Sequence, residues 1–327
     1  MPRLYPIFVF YLVFFCQAAF ANDSAWGEDN GSIVLSKQND ISMAKERLLI
    51  APDKINVDYL FINHSSQDIT VPVTFPMPPI YQYEGQDMAP GIINFKLNVE
   101  GKPVKTQARW VVMLFDENGK DREDITQKVI HAGWTLPQLI NLLQNEPYND
   151  SRSKKLPPLP AVWFKGGLPQ FYVQQHFVWQ QTFPAGKEIM INHSYTPSLS
   201  GGVPTPIEYI VGDESKDNPG NECLNATARK QIEKLDNGLK NKHKENYGGL
   251  GWNQLNYILS TGANWKDSVI GDFTLRIHKI SPQNVLVTCF KHPFKQIDPT
   301  TLEFTQKDFK PDENLSLTYY YDAAEGK

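Results

Sequence analysis

The chain has 327 residues, a formal net charge of −4 and three cysteines. This balance argues against nucleic acid as the main partner, because phosphate binding needs a surplus of lysine and arginine. The length suits one large or two ordinary domains, and the content of 24 prolines and 12% aromatic residues is typical of a β-rich exported protein with many turns.

The first 21 residues predict a signal peptide. One early charge, Arg3, precedes an apolar run, and the small-x-small segment that ends at Ala21 fits signal peptidase. The apolar run is shorter than the roughly 20 residues of a membrane-spanning helix. We therefore expect a periplasmic or secreted chain that begins at Asn22, with no transmembrane segment after cleavage. An uncleaved anchor is the alternative.

The cysteines indicate one disulfide. Removal of Cys16 with the signal peptide leaves Cys223 and Cys289, which in an oxidising compartment most simply pair with each other. Two unpaired thiols are the alternative. The sequence contains no CxxC pair or Cys/His cluster, so it predicts no structural zinc site and no metal or other cofactor.

Alternating apolar residues predict an N-terminal β domain over residues 22–145. The segments "INVDYLFIN", "DITVPVTFP" and "INFKLNVEGKPVKTQARWVVMLF" predict strands, and the last reverses at Glu100-Gly101-Lys102. A short helix ends this domain, since Thr135 and Gln138 have capping-box spacing before an apolar stripe. Residues 146–165 are rich in Pro, Ser and Lys and predict a linker.

A second β domain is predicted over residues 166–327. The segments "FYVQQHFVWQQTF", "EIMINHSYT", "GDFTLRIHK", "NVLVTCF" and "LSLTYYY" alternate as strands. A helical insertion is predicted near 223–245, where apolar residues recur at spacings of three and four. The predicted fold class is mainly β, with two antiparallel β-sandwich-like domains and helical insertions.

Three segments carry a family resemblance. Residues 55–78, 177–198 and 257–279 resemble an exported bacterial family catalogued as domain of unknown function family 4424, and residues 22–59 fit the same family. The resemblance implies a Gram-negative periplasmic or surface setting and a duplicated β architecture. It transfers no catalytic residue, because no chemistry is assigned to the family.

Catalytic motifs such as GxSxG, HExxH and the P-loop are absent from the sequence. His193 and Ser194 are adjacent, but neighbours in a strand face opposite sides, so His193 is predicted to be a core or interface histidine. The acidic segment 213–222 fails the EF-hand pattern, because Asn218 replaces the glycine and Leu224 the glutamate. We predict a solvated loop there, with a weak cation site as the alternative.

The polar stretch "YILSTGANWKDSVIGDFTLRIH" provides the candidate ligand-binding residues Asn264, Trp265 and Asp267, together with Trp252. The two tryptophans flank a glycine-rich loop and neither alternates with a strand face, which makes them candidate surface anchors for a sugar or a protein. Packing against the other domain is the alternative for these two side chains and is favoured. The competing interpretation is a long structured connection between two strands. That interpretation explains every residue and is favoured.

The predicted function is non-enzymatic binding to a protein or glycan partner in the cell envelope. The alternative is a periplasmic hydrolase acting on glycan or peptide, with Asp267 and Asp272 as its carboxylates and Trp265 as a platform. Such a pair needs carboxyl groups about 5–9 Å apart in one cleft. An assembly subunit or chaperone would need an open sheet edge that accepts another strand. Pro72 argues against this at one edge, because proline has no backbone N–H to donate to an added strand.

Overall fold

The computed structural model describes residues 24–29, 32–35, 37–77, 79–81, 93–145, 157–197, 199–212 and 223–325. The predicted signal peptide, the acidic segment 213–222 and residues 146–156 of the predicted linker lie outside the described residues.

The described elements are mostly strands. In chain order they are β1 (Ser24–Asp29), β2 (Ser32–Leu35), β3 (Ile41–Ile50), β4 (Ile55–Asn63), β5 (Ile69–Pro76), β6 (Ile93–Val99), β7 (Lys102–Val104), β8 (Gln107–Phe115), β9 (Asp121–Asp124), β10 (Phe164–Lys165), β11 (Leu168–Pro169), β12 (Phe171–Phe183), β13 (Glu188–Thr196), β14 (Ser200–Gly201), β15 (Gly251–Tyr257), β16 (Ile270–His278), β17 (Val285–Thr288), β18 (Lys295–Gln296), β19 (Thr301–Phe309) and β20 (Leu315–Tyr321). The α-helices are α1 (Thr126–His131), α2 (Leu136–Asn145), α3 (Ile207–Ile210) and α4 (Ala226–His243), and short 3-10 helices cover Ala161–Trp163, Lys244–Asn246, Ser260–Asn264, Lys266–Ser268 and Ala323–Glu325.

Within the described part of the chain, these strands form three larger sheets and the small hairpin β10–β11. The central sheet has the order β18-β19-β16-β3-β4-β13-β6-β7, the second sheet β2-β1-β5-β12-β8-β9, and the third sheet β14-β15-β20-β17. Neighbouring strands are antiparallel apart from β3 and β16, which run parallel. The predicted mainly β fold class with helical insertions is confirmed.

Alternation along β13 separates core from solvent as predicted. In β13, Ile189, Ile191, His193 and Tyr195 are buried, whereas Met190 is exposed. The turn from β6 to β7 places Glu100 at φ 50° and Gly101 at φ 71°, the left-handed conformations of a two-residue hairpin turn. Local pattern therefore decides both the strands and their buried faces.

The two predicted domains do not correspond to separate sheets. In the central sheet β16 pairs with β3, and β13 lies between β4 and β6. In the second sheet β12 lies between β5 and β8. Strands from both sides of the predicted linker thus share two sheets, which corrects the boundaries at 145 and 166. Periodicity shows which face of a strand is buried, but it carries no information about the strand's partner.

The later part of the predicted linker is also corrected. Leu159 and Trp163 are buried in a core that they share with α1, α2 and the adjoining ends of β8 and β12. The Trp134 indole donates a hydrogen bond to the carbonyl of Pro157 over 2.7 Å. Proline content predicted a solvated segment here, but the interspersed leucine and tryptophan secure this part of the chain to the protein.

Helices α2 and α4 begin where the sequence predicts. Thr135 and Gln138 interact at the start of α2, where the Thr135 N–H donates to Gln138 Oε1 over 2.8 Å. At the start of α4, Asn225 Oδ1 accepts from the Ala228 N–H over 2.9 Å. The apolar side of α4 packs against β17 and β20. No helix among the described residues is long and apolar enough to span a membrane.

The largest core is lined by inward residues of all three sheets. Phe75 of β5 stacks on Phe95 of β6 with ring centroids 5.1 Å apart, and Phe61 of β4 meets Phe183 of β12 edge to face at 5.6 Å. Leu255, Tyr257 and the inward residues of β20 extend the same core into the third sheet. The inner face of the central sheet packs against this shared core. The opposite face, called the outer face below, is turned toward solvent.

His176 on β12 provides a prediction about pH. The ring is buried, its Nδ1 lies 3.2 Å from Thr74 Oγ1, and its Nε2 has no hydrogen-bond partner among the described residues. Burial lowers the pKa of His176 from 6.5 to about 4. Between these pH values the unfolded chain binds the proton and the folded chain does not. The free energy of unfolding is therefore expected to fall by about 3 kcal/mol as the pH drops through this range.

Urea denaturation of the wild type and of His176→Gln at pH 7, 5.5 and 4 measures this effect. The variant keeps a polar group beside Thr74 but cannot titrate, so its stability should fall less between pH 7 and 4. His131→Gln is the control, because this histidine is exposed at the end of α1. Parallel pH profiles for all three proteins would exclude His176 as the source of the acid sensitivity.

Candidate functional site

The polar stretch 257–278 connects two sheets. It leaves β15 in the third sheet, passes through the 3-10 helices Ser260–Asn264 and Lys266–Ser268, and enters β16 in the central sheet. Asp267 and Ser268 have positive φ angles of 62° and 55°. Asp tolerates this left-handed conformation better than most residues. The favoured interpretation of a structured connection agrees with this geometry.

Trp265 is fully buried, which corrects its place among the surface anchors. Its exposed fraction is 0%, and its ring lies 4.6 Å from Phe61 and 5.9 Å from Phe183, measured between centroids. The indole thus occupies the main core where β4 and β12 meet. Lack of strand alternation made an exposed ring a candidate, but a residue outside a strand can also point inward, as the packing alternative required. A ligand in solvent cannot stack on this indole.

The other three candidates have separate structural contacts. The carbonyl of Asn264 accepts from the Gln38 N–H over 2.7 Å. Asp267 is 68% exposed, and its Oδ2 lies 3.5 Å from Lys266 Nζ. Trp252 is half-buried over Gly202, where a Cβ atom would come within 2.9 Å of the indole Cζ2. These contacts anchor loops, and they supply no aromatic platform beside Asp267.

The carboxylates of the hydrolase alternative are held by cations. Asp272 Oδ2 lies 2.6 Å from Arg47 Nη2 and 3.0 Å from Lys307 Nζ. The hydrogen bond from Arg47, followed by that from Lys307, lowers the pKa of Asp272 below its usual value. A glycosidase acid must instead retain its proton near neutral pH. Asp272 is therefore unsuited to be the acid of such a pair.

His193 lies in the main core, as predicted. Four aromatic rings surround its imidazole at centroid distances of 5.2–5.6 Å, those of Tyr59, Phe75, Phe95 and Trp179. In the described segments, no group of three or more His, Cys, Asp or Glu side chains is arranged to hold a metal ion.

A row of polar side chains crosses the outer face of the central sheet. The row has one residue on each of six neighbouring strands, and strand register places consecutive members directly opposite one another. In order from β19 to β6 the members are Thr305, Thr274, Arg47, Asp58, Asn192 and Asn98. Because the opposite side of these strands is packed against the core, the row is held on a rigid surface.

Hydrogen bonds link the members at one end of the row. Asn192 Nδ2 donates to Asp58 Oδ1 over 2.6 Å, and Asn98 Nδ2 donates to Asn192 Oδ1 over 3.4 Å. Asn56, also on β4, donates to Asp58 Oδ2 over 3.3 Å. These contacts orient the donor sides of Asn192 and Asn56 toward Asp58 and the donor side of Asn98 toward Asn192.

An open depression with a volume of about 330 Å³ lies over this end of the row. Its lining consists of Asp58, Asn98, Gly101, Met190, Ile191 and Asn192. The hairpin turn at Gly101 forms one side, and Met190, which is 59% exposed, contributes apolar surface. The depression combines carboxylate, amide and thioether groups and is the candidate functional site.

The sequence contains a signal for this site that is not a known motif, namely Asn and Asp residues at outward positions of strands. Asn and Asp are depleted in strands, yet Asn56, Asp58, Asn98 and Asn192 occupy outward positions within three predicted strands. Such residues, kept where β-branched or aromatic residues fit better, indicate a use other than folding. Their convergence could not be predicted, because it depends on β13 lying between β4 and β6.

Comparisons with known proteins give a family and distant structural likenesses. The family described as domain of unknown function DUF4424 matches residues 21–317, and no curated protein matches the chain. A proposed nutrient binding protein of Legionella pneumophila is similar in structure over 92% of this chain and 71% of its own, with 15% identity and a TM-score of 0.47.

An M1 zinc metallopeptidase from Deinococcus radiodurans is similar over 88% of this chain, with 10% identity and a TM-score of 0.24. The chain spans 43% of that peptidase. Likenesses this distant carry no argument about function.

Proposed function

The chain belongs to the family of domain of unknown function DUF4424, and we propose that it is an exported, non-enzymatic protein that binds a polar ligand in the cell envelope. The observation that carries this proposal is the hydrogen-bonded set Asp58, Asn98 and Asn192 in the depression on the outer face. A glycan or a polar group of a partner protein would bind there.

A rigid sheet suits this role. Asp58, Asn98 and Asn192 project from the middle of paired strands whose inner faces are buried, so little side-chain freedom remains to be lost on binding. The site offers one carboxylate with amides beside it, a set that recognises hydroxyl or ammonium groups by hydrogen bonds. Binding therefore needs neither a metal nor a movable catalytic group.

Export is supported by two features. The predicted signal peptide precedes the chain, and the sulfur atoms of Cys223 and Cys289 lie at disulfide distance with their Cα atoms 4.7 Å apart. Disulfides form and persist in oxidising compartments such as the periplasm.

The proposal predicts that substitutions in the depression abolish binding without unfolding the protein. A panel of envelope oligosaccharides, peptides and small nutrients would be screened by isothermal titration calorimetry against the wild type. Asp58→Ala combined with Asn192→Ala removes the central hydrogen-bonding groups, and we expect affinity for the ligand found to fall at least about tenfold.

Thr305→Ala is the matched control, because Thr305 lies on the same outer face at the far end of the row. Its affinity should remain that of the wild type. A ligand whose binding is unchanged in the double variant, although circular dichroism shows both variants folded, would place the binding site elsewhere and refute this proposal.

A further inference from the structure

We infer that the depression selects ligands that carry a primary ammonium group. This inference rests on the proposed function and names the chemical class of its ligand. Three features of the described residues support it: the surplus of hydrogen-bond acceptors, a carboxylate without a direct ion pair, and an apolar strip beside that carboxylate.

The acceptor surplus follows from the direction of the hydrogen bonds. Asn192 and Asn56 both donate to Asp58, and Asn98 donates to Asn192. A carboxylate can accept about four hydrogen bonds, and amides supply two of them here. The Asp58 carboxylate can therefore accept about two further hydrogen bonds, and the amide oxygen of Asn192 can accept one more. A ligand that binds these oxygens must supply the donors.

The carboxylate of Asp58 has no direct ion pair with the described residues, because the adjacent cation makes its hydrogen bonds elsewhere. Arg47 lies opposite Asp58 in the register, but its Nη1 donates to the carbonyl of Asp272 over 2.7 Å and its Nη2 to the Asp272 carboxylate over 2.6 Å. Asp58 makes no ion pair with the residues that the structure describes. Glu100, which precedes the lining residue Gly101, is not part of the lining, and its carboxylate accepts a hydrogen bond from the Met190 N–H.

The apolar strip lies beside the carboxylate. Met190 and Leu60 are directly opposite in the strand register, two residue pairs along from Asn192 and Asp58 and therefore on the same face of the sheet. Met190 is 59% exposed, so its thioether and methylenes are available for contact. A ligand with an ammonium head and an apolar or sugar body would place the head at Asp58 and the body along Met190.

Other ligand heads fit less well. An ammonium has three donors and no acceptor, which complements an acceptor-rich site, whereas a hydroxyl also brings acceptor lone pairs that need donors. Calcium requires six to eight oxygen ligands, usually with several carboxylates, and the lining contains the single carboxylate of Asp58. The charge and the hydrogen-bond directions together favour the organic cation.

Paired probes test this inference. Glucosamine would be compared with glucose, and hexylamine with 1-hexanol, by saturation-transfer NMR and calorimetry on the purified protein at low ionic strength. Each pair differs in the ammonium group and shares its remaining body. We expect each amine to bind at least about tenfold more tightly than its neutral partner, the usual range for hydrogen bonds to charged groups.

Asp58→Asn separates charge from shape. The substitution keeps the size of the side chain and removes its charge, so the preference for the amine should disappear. Asp53→Asn, at an exposed turn between β3 and β4, is the matched control and should keep the preference. Added calcium should not compete with the amines.

The outcomes separate this inference from the proposed function. Equal binding of charged and neutral probes, sensitive to Asn192→Ala, would overturn the ammonium class and leave the binding site in place. Binding of calcium in place of the amines would also overturn it. If neither the amines nor the broader ligand panel depends on Asp58 or Asn192, both the inference and the proposed function fail.

Discussion

Replacing Trp265 with alanine is expected to lower the free energy of unfolding by about 3–5 kcal/mol, the usual cost of removing a large aromatic ring from a packed core. The ring is fully buried between Phe61 and Phe183, which belong to different sheets. Its removal would leave a cavity at the point where the connection 257–278 contacts both sheets. Urea denaturation followed by circular dichroism would measure the loss.

Trp252→Ala is the matched control for this substitution. Trp252 is half-buried over Gly202, so its truncation creates less cavity and should cost less than that of Trp265. Trp265→Phe should recover part of the loss, because a smaller ring can fill some of the space. A Trp265→Ala protein with wild-type stability but no ligand binding would show that the surface-anchor interpretation was right after all.

Removing the Cys223–Cys289 crosslink is expected to destabilise the protein by about 4 kcal/mol. The two residues are separated by 66 positions, and closing a loop of this length restricts the unfolded chain strongly. The crosslink joins the residue just before the start of α4 to the segment that follows β17, across the core that this helix shares with the third sheet. Protein isolated from the periplasm should contain no free thiol.

The double variant Cys223→Ser, Cys289→Ser tests this prediction by thermal denaturation with and without reductant. Reductant should lower the melting temperature of the wild type toward that of the variant and leave the variant unchanged. The polar contacts of α4 persist in both, including Lys242 and His243 with Asp322 at 2.9 and 2.8 Å. Wild-type protein with two free thiols would contradict both the crosslink and the predicted compartment.

Local pattern was sufficient for the elements of this fold. The alternation in "FYVQQHFVWQQTF" and "EIMINHSYT" predicted β12 and β13 over the segments that the structure shows. Capping residues Thr135 and Asn225 precede the helices α2 and α4. Alternation was incomplete for β12, where His176 and Gln174 were expected to face away from the core and are buried as well. A strand covered on both faces shows no simple alternation of exposure.

The candidate site could not be predicted from the sequence, because its residues are far apart along the chain. Asp58 and Asn192 are 134 residues apart and meet through the pairing of β4 with β13. The polar stretch 257–278 looked more like a site, since its Asn, Trp and Asp are close in sequence. Those residues form the connection between two sheets. The depression is instead lined by single polar residues from three different strands, none of which belongs to a recognisable motif.

The amino-acid sequence by itself determined the mainly β class, the positions of several strands and of helices α2 and α4, and the face that most of those strands bury. Those properties follow from local periodicity and local backbone hydrogen bonds, which a short window contains. The tertiary structure alone decided that strands on either side of residue 145 share sheets, that Trp265 is core, and that Asp58, Asn98 and Asn192 converge. Backbone pairing is nearly independent of side-chain identity, so strand partners are selected by the packing of the whole chain.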